Sequence, residues 1–312
     1  VRYGFLSGAL WGLDTVVLGI ALLMAPFLGA GQASLSSAVL HDVACALILL
    51  VYMGVRGRLR HTLTAATTRS GKAVMGAALL GGPLGMSGYL IAIDNIGPAY
   101  TAIISTFYPA VGTALAALLL KERMRLRQVL ALLAALGAVV LVGWSSSGAQ
   151  VPGSAPLGIA GALTCVVGWG SEAVILAWGM RDDAVDNETA LQLRETTSAL
   201  VYLVVLAPLG GALGFTLETV TTPAAGVIAL AGLAGTVSYL FYYKAINTIG
   251  ASRGMALNIS YSAWAVIFAF LLQHAVPSPL QVVCCVAILI CTVLAATPQW
   301  QDLWPSRLRQ TL

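Results

Sequence analysis

The chain has 312 residues, of which 59% are hydrophobic and 9% charged, against roughly a quarter charged in soluble domains. That composition excludes a soluble globular protein and leaves an integral membrane protein. The formal net charge of +4 reflects where Lys and Arg fall between apolar segments, so it does not support nucleic-acid binding.

A membrane-crossing helix needs about 20 mostly apolar residues, and ten such runs fill the chain. In order they are 4–28, 36–55, 73–93, 99–120, 126–144, 157–178, 189–209, 224–246, 252–272 and 280–296. Segment one has no signal-peptide-like leader or cleavage pattern and is expected to be retained as a structural helix. Segment three carries Gly81-Gly82-Pro83-Leu84-Gly85. Proline removes a donor and glycine lowers helix preference, so Gly82, Pro83 and Gly85 are hinge candidates, with plain helix packing as the competing reading. The uncharged stretch 145–156 is a linker. Segment eight holds Gly235, a fourth hinge candidate, in the milder sequence Ala234-Gly235-Thr236-Val237-Ser238. Trp300 and Trp304 with Arg307 and Arg309 have the composition of an interfacial anchor. All five cysteines lie in apolar segments and are expected to be free thiols.

The two halves echo each other at an offset of 153 residues. Leu40-His41-Asp42 recurs as Leu193-Arg194-Glu195, and Tyr89, Ile93, Gly97, Tyr108 and Gln128 recur as Tyr242, Ile246, Gly250, Tyr261 and Gln281. Each copy holds five crossings, an odd number, so the second must be inverted relative to the first. The predicted fold is therefore an all-α membrane protein of ten helices, two inverted five-helix repeats around a central cavity. Residues 1–144 form the first repeat, 145–156 a periplasmic linker, 157–297 the second repeat and 298–312 a cytoplasmic tail. Alternating the loops places 14 of the 16 Lys and Arg on one side, and the other two, Arg194 and Lys244, fall inside helices. By the positive-inside rule both termini are cytoplasmic.

Ionisable groups deep in a membrane are costly and need a reason. Asp14, His41, Asp42, Glu172, Arg194, Glu195 and Lys244 form that set. Trp11-Gly12-Leu13-Asp14 resembles Trp169-Gly170-Ser171-Glu172, at an offset of 158. His41 titrates near neutral pH when unperturbed, so His41, Asp14 and Glu172 are candidates for proton coupling; structural ion pairs are the alternative. Lys244 has no counterpart and lies within snorkelling reach of the cytoplasm. Ser105 with Tyr108, and Asn258 with Tyr261, share a helix face at i, i+3 spacing. Together with Trp11, His41, Tyr89, Trp169, Tyr239, Tyr242 and Trp264 they offer aromatic faces and polar handles for a small solute, though single membrane aromatics more often serve packing.

Two inverted five-helix repeats, a Trp-Gly motif in the first helix of each, and the basic turn Lys121-Glu122-Arg123 after the fourth resemble the drug/metabolite transporter superfamily, EamA type. Within it, Gly8 to Asp14 and His41-Asp42 are most similar to the YddG group of aromatic amino acid exporters. The resemblance implies a secondary transporter of the bacterial inner membrane, exporting aromatic or other apolar amino acids and related metabolites or drugs by alternating access. It is no enzyme on this reading and needs no cofactor or metal. Its partners are a small-molecule solute and the lipid bilayer, without nucleic acid or an obligate protein partner. The second repeat departs from the pattern, with His274-Ala275 where the first has Lys121-Glu122. An exchanger or importer of another metabolite, such as a nucleotide sugar, keeps the fold and changes the cargo. An enzyme of prenyl transfer is suggested only by Asp182-Asp183-Ala184-Val185-Asp186, whose spacing suits Mg²⁺; no second acidic cluster accompanies it. The sequence has no GxxxxGK[ST] motif for nucleotide phosphates.

Overall fold

In the computed structural model, which describes residues 1–145 and 153–300 (backbone alone at 98 and 99), ten apolar helices have the length of a membrane span. They are α1 (Arg2–Leu22), α2 (Ala33–Val55), α3 (Arg69–Gly97), α4 (Tyr100–Leu120), α5 (Leu126–Ser145), α6 (Ala155–Gly179), α7 (Asn187–Leu209), α8 (Pro223–Ile249), α9 (Ala251–Gln273) and α10 (Pro279–Ala296). Two short helices, Leu59–Thr67 and Leu213–Thr219, lie in the connections after α2 and α7. The apolar run of segment one continues to Leu28, but α1 stops at Leu22. Pro26 and Gly29, the latter at φ 78°, turn the chain there. The proposed anchor residues Trp304, Arg307 and Arg309, like most of the linker, lie outside the described residues.

Contacts between loops sort them to two ends. At the end rich in Lys and Arg, Lys244 lies over the Tyr3 ring at 4.7 Å, and Arg125 donates to the Pro298 carbonyl at 3.1 Å. At the opposite end Phe27 meets Phe215 edge-on at 5.7 Å, and the Ser154 amide donates to Asn95 Oδ1 at 3.0 Å. Loops that alternate along the chain thus gather in space.

The repeats are interleaved rather than side by side. α1 packs into α8 and α9 of the other repeat, α6 packs into α3 and α4, and α2–α7 and α5–α10 close the remaining seams. The 153-residue echo also governs the backbone. Gly97 and Gly250, at φ 80° and 91° with extended ψ, occupy a positive-φ region open essentially to glycine alone and mark the turns from α3 to α4 and from α8 to α9. Helix α4 is interrupted at Thr106-Phe107 and α9 at Ile259-Ser260. Lys121 and His274 end these two helices in the same left-handed conformation, φ 58° and 56°. The departure from the basic turn therefore changes charge without changing backbone. Glu122 has its own task, accepting hydrogen bonds from the amides of Ala251 (2.8 Å) and Ser252 (3.0 Å) at the start of α9.

At the basic end Arg58 joins the repeats by donating to Asp186 (2.5 Å) and Glu188 (2.6 Å). Asp186 also caps α7, accepting from the Thr189 amide at 2.9 Å. Partial burial opposes its ionisation, but the Thr189 amide and the Arg58 guanidinium outweigh this and hold its carboxyl below the usual range. Its stabilisation is present above the unfolded carboxyl pKa of about 4 and disappears as pH falls through the lower folded value. Asp186→Ala is expected to cost about 1 kcal/mol, as for other lost N-caps. The deficit should be present at pH 7 and vanish in strong acid, measured by thermal unfolding followed by tryptophan fluorescence.

Candidate functional site

A cleft between the repeats is walled by Trp11, Trp169, Tyr108, Tyr239, Tyr242, Tyr243 and Tyr261, with Asn258, Glu172, Ala173 and Leu176. Trp11 meets Tyr239 edge-on at 4.8 Å, and Trp169 meets Tyr108 edge-on at 5.8 Å. The rings are braced by polar contacts. Trp169 donates its indole N–H to the Gly81 carbonyl (3.0 Å), Tyr108 donates to Asn258 Oδ1 (2.8 Å), and Asn258 Nδ2 donates to Ser7 (3.0 Å). Both ends of the Asn258 amide are thus held by protein, while the Tyr243 hydroxyl is buried without a partner.

The two Trp-Gly motifs do the same work in each repeat. Trp11 and Trp169 present indoles to the cavity. A Cβ on Gly12 would lie 2.9 Å from the Tyr261 carbonyl and 2.8 Å from the Ala265 amide; one on Gly170 would lie 2.9 Å from both the Tyr108 carbonyl and the Gly112 amide. Tyr108 and Gly112 align with Tyr261 and Ala265 at the 153 offset. Each glycine therefore lets the first helix of one repeat touch the broken fourth helix of the other. Three residues beyond each tryptophan, the acid pairs with the second helix: Asp14 with His41 Nε2 (3.0 Å), Glu172 with Arg194 Nε (2.9 Å).

These two pairs merge into one buried cluster. Arg194 Nη1 donates to Glu195 (2.9 Å) and stands 4.0 Å from Asp42, His41 Nδ1 is 3.5 Å from Asp42, and Ser198 donates to Asp42 at 2.5 Å. His41 and Arg194 lie near opposite ends of antiparallel helices, yet both reach Asp42. Ser198, one turn further along α7, touches Asp42 directly, and the long Arg194 side chain spans that turn. The guanidinium also lies 5.0 Å from the Tyr239 ring centroid, against the cavity wall.

Seven of the aromatic and polar residues singled out from sequence, together with Glu172, line the cavity. Tyr89 stands behind the wall, stacked on Trp169 at 5.7 Å. Ser105 is fully buried with its hydroxyl on the Ala102 carbonyl, because the interruption of α4 falls between it and Tyr108. His41 belongs to the ionic cluster, and Trp264 packs edge-on against Phe5 at 5.6 Å. Tyr243, Ala173 and Leu176 also line the cavity but were not expected there. The counterpart of Tyr243 at the 153 offset is Leu90, so the echo passes over it; its one signal is its i+4 spacing from Tyr239. Ala173 and Leu176 carry no signal beyond packing. Pro83 sits in a widened π-helical turn, Leu80–Met86, with Gly82 and Gly85. Gly82 and its counterpart Gly235 face the cluster: added Cβ atoms would meet Ser198 Oγ at 2.2 Å, and Asp14 and His41 at 3.1 Å.

Comparison with known proteins follows the same lines. The chain is 31% identical to Protein LicB of Haemophilus influenzae (strain ATCC 51907 / DSM 11121 / KW20 / Rd) over 208 residues, 65% of this chain and 68% of LicB. A solved crystal structure superposes with a TM-score of 0.68 at 19% identity, covering 94% of this chain and 95% of its own, a likeness of fold alone. Residues 2–144 and 156–297 each match the EamA-like transporter family, the two interleaved repeats seen here, and the chain belongs to that family.

Proposed function

We propose that this transporter carries a small solute bearing an organic ammonium group, by alternating access, in the bacterial inner membrane with both termini cytoplasmic. The observation that carries this reading is the composition of the cavity wall: seven aromatic rings and one carboxylate, Glu172. Aromatic faces attract a cation by roughly 0.5–2 kcal/mol each when water is excluded, and a buried carboxylate adds a charged partner. No Lys or Arg is among the lining residues, and Arg194 is engaged by Glu172 and Glu195. A solute whose only charge is positive therefore matches the site better than a zwitterion. The gathering of Lys and Arg at one end supports the orientation, and export is the direction implied by the resemblance.

Export of aromatic or apolar amino acids, as in the YddG group, is the second reading. It draws support from the tyrosine hydroxyls, Tyr243 above all, which could donate to a carboxylate. Trimethylphenylammonium and phenylalanine separate the two when binding is followed by tryptophan fluorescence of the purified protein and uptake is followed in everted vesicles. The quaternary amine is expected to bind and be transported. Glu172→Gln should weaken it by about 30-fold, near 2 kcal/mol for one partner of a desolvated charge pair. Transport of phenylalanine without the quaternary amine would replace the first reading by the second, and transport of neither would remove both.

A further inference from the structure

Four carboxyls, Asp14, Asp42, Glu172 and Glu195, share one guanidinium and one imidazole in the buried cluster. Even with His41 protonated the positive charges cannot balance four ionised acids. Partners are distributed unevenly. Asp14 has His41, Asp42 has Ser198 with His41 alongside, and Glu172 has Arg194. Glu195 is fully buried, and while Oε1 accepts from Arg194, Oε2 has no partner. One turn earlier on the same face of α7, Gln192 Oε1 is also buried without a donor. A buried ionised oxygen without a donor is costly. A proton on Glu195 removes the charge and supplies the donor that this stretch lacks.

We propose that Glu195 is the proton-carrying carboxyl of this transporter, and that Arg194 couples it to the cavity so that one cation entering releases one proton. Arg194 is positioned to do this because its guanidinium serves Glu172 on the cavity wall and Glu195 behind it while lying over Tyr239, another wall residue. A solute cation beside Glu172 takes over part of that carboxylate's neutralisation and repels the guanidinium toward Glu195. The O–H bond of Glu195 then breaks and the proton passes to water on the side to which the cavity is open. The site gains one positive charge and loses one, so the exchange is one for one. The other groups facing Glu195 are His41, Asp42 and Cys45 from α2, Glu172 from α6, and Tyr239 and Tyr243 from α8. On α3, Gly81 lies against Glu172 and Gly82 against Ser198.

This inference rests on the ammonium reading of the cavity, and the test separates the two. Purified protein in weakly buffered solution is mixed with trimethylphenylammonium while a pH dye and tryptophan fluorescence are recorded. Wild type should release up to one proton per cation bound, and its affinity should fall about tenfold per pH unit on the acid side. Glu195→Gln should still bind the cation, release no proton and lose the pH slope. Binding without release, or an unchanged slope in Glu195→Gln, overturns the role of Glu195 and leaves the ammonium reading of the cavity intact. If no cation binds, the ammonium reading fails and infrared spectroscopy decides on Glu195 without a ligand. A protonated-carboxyl band that titrates in wild type and in Asp42→Asn but is missing in Glu195→Gln upholds the assignment, and its persistence in Glu195→Gln overturns it.

Discussion

Arg194→Met is expected to cost about 3–5 kcal/mol, the range for breaking a buried ion pair by removing one partner. The carboxyls of Glu172, Glu195 and Asp42 would then be left around an uncharged side chain, with the His41 imidazole the remaining group of the cluster able to carry positive charge. The loss should appear as a much lower unfolding temperature in detergent, read by size-exclusion recovery and by dye labelling of buried thiols. Arg194→Lys should recover only part of it, because an ammonium is a point charge and cannot reproduce the separate Nε and Nη1 contacts. Adding Glu172→Gln to Arg194→Met should restore part of the stability, since it removes the charge that Arg194 Nε had neutralised. An Arg194→Met protein as stable as wild type would mean that the cluster is already neutral without its guanidinium, and the charge count behind the proton site would fall with it.

Gly170→Leu is expected to damage the fold and the cavity together. The atoms its Cβ would meet at 2.9 Å are a backbone amide and a backbone carbonyl of α4, which cannot turn aside as a side chain can. Overpacking a well-filled interior costs about 1–3 kcal/mol and at times more, and the whole side chain must still find room beyond its Cβ. Because Trp169 and Glu172 flank this contact, separation of α6 from α4 also opens the cavity. Solute binding should therefore fail in whatever fraction still folds. Gly12→Leu should behave alike at the α1–α9 contact. Gly19→Ala is the control: it lies in α1, nothing stands within 4 Å of the added Cβ, and stability should be unchanged or slightly higher. If Gly170→Leu keeps both its unfolding temperature and its solute binding, the close contact between the repeats is not needed.

The paired Trp-Gly motifs were legible in the sequence because the chemistry repeats while the spacing slips by five residues. Their meaning was not legible, since the partners of Gly12 and Gly170 lie on α9 and α4 in the opposite repeats. Ser105 shows a different limit. Its i, i+3 spacing from Tyr108 suggests a shared face, but both fourth helices are interrupted just after Ser105 and Asn258, and the serine turns back onto its own backbone. Tyr243 shows a third limit, because a residue present in only one half leaves no echo to follow.

By itself the sequence determined ten crossings, their inversion and the end to which the charged loops go. These follow from hydrophobic length, an odd repeat and the placement of Lys and Arg, all of which are local or additive along the chain. Only the tertiary structure decided that His41-Asp42 and Arg194-Glu195, near opposite ends of their helices, form one cluster behind an aromatic cavity. That outcome depends on how far antiparallel helices slide past each other and how far one arginine reaches. Both are properties of packing between residues more than 150 positions apart, and no local pattern encodes them.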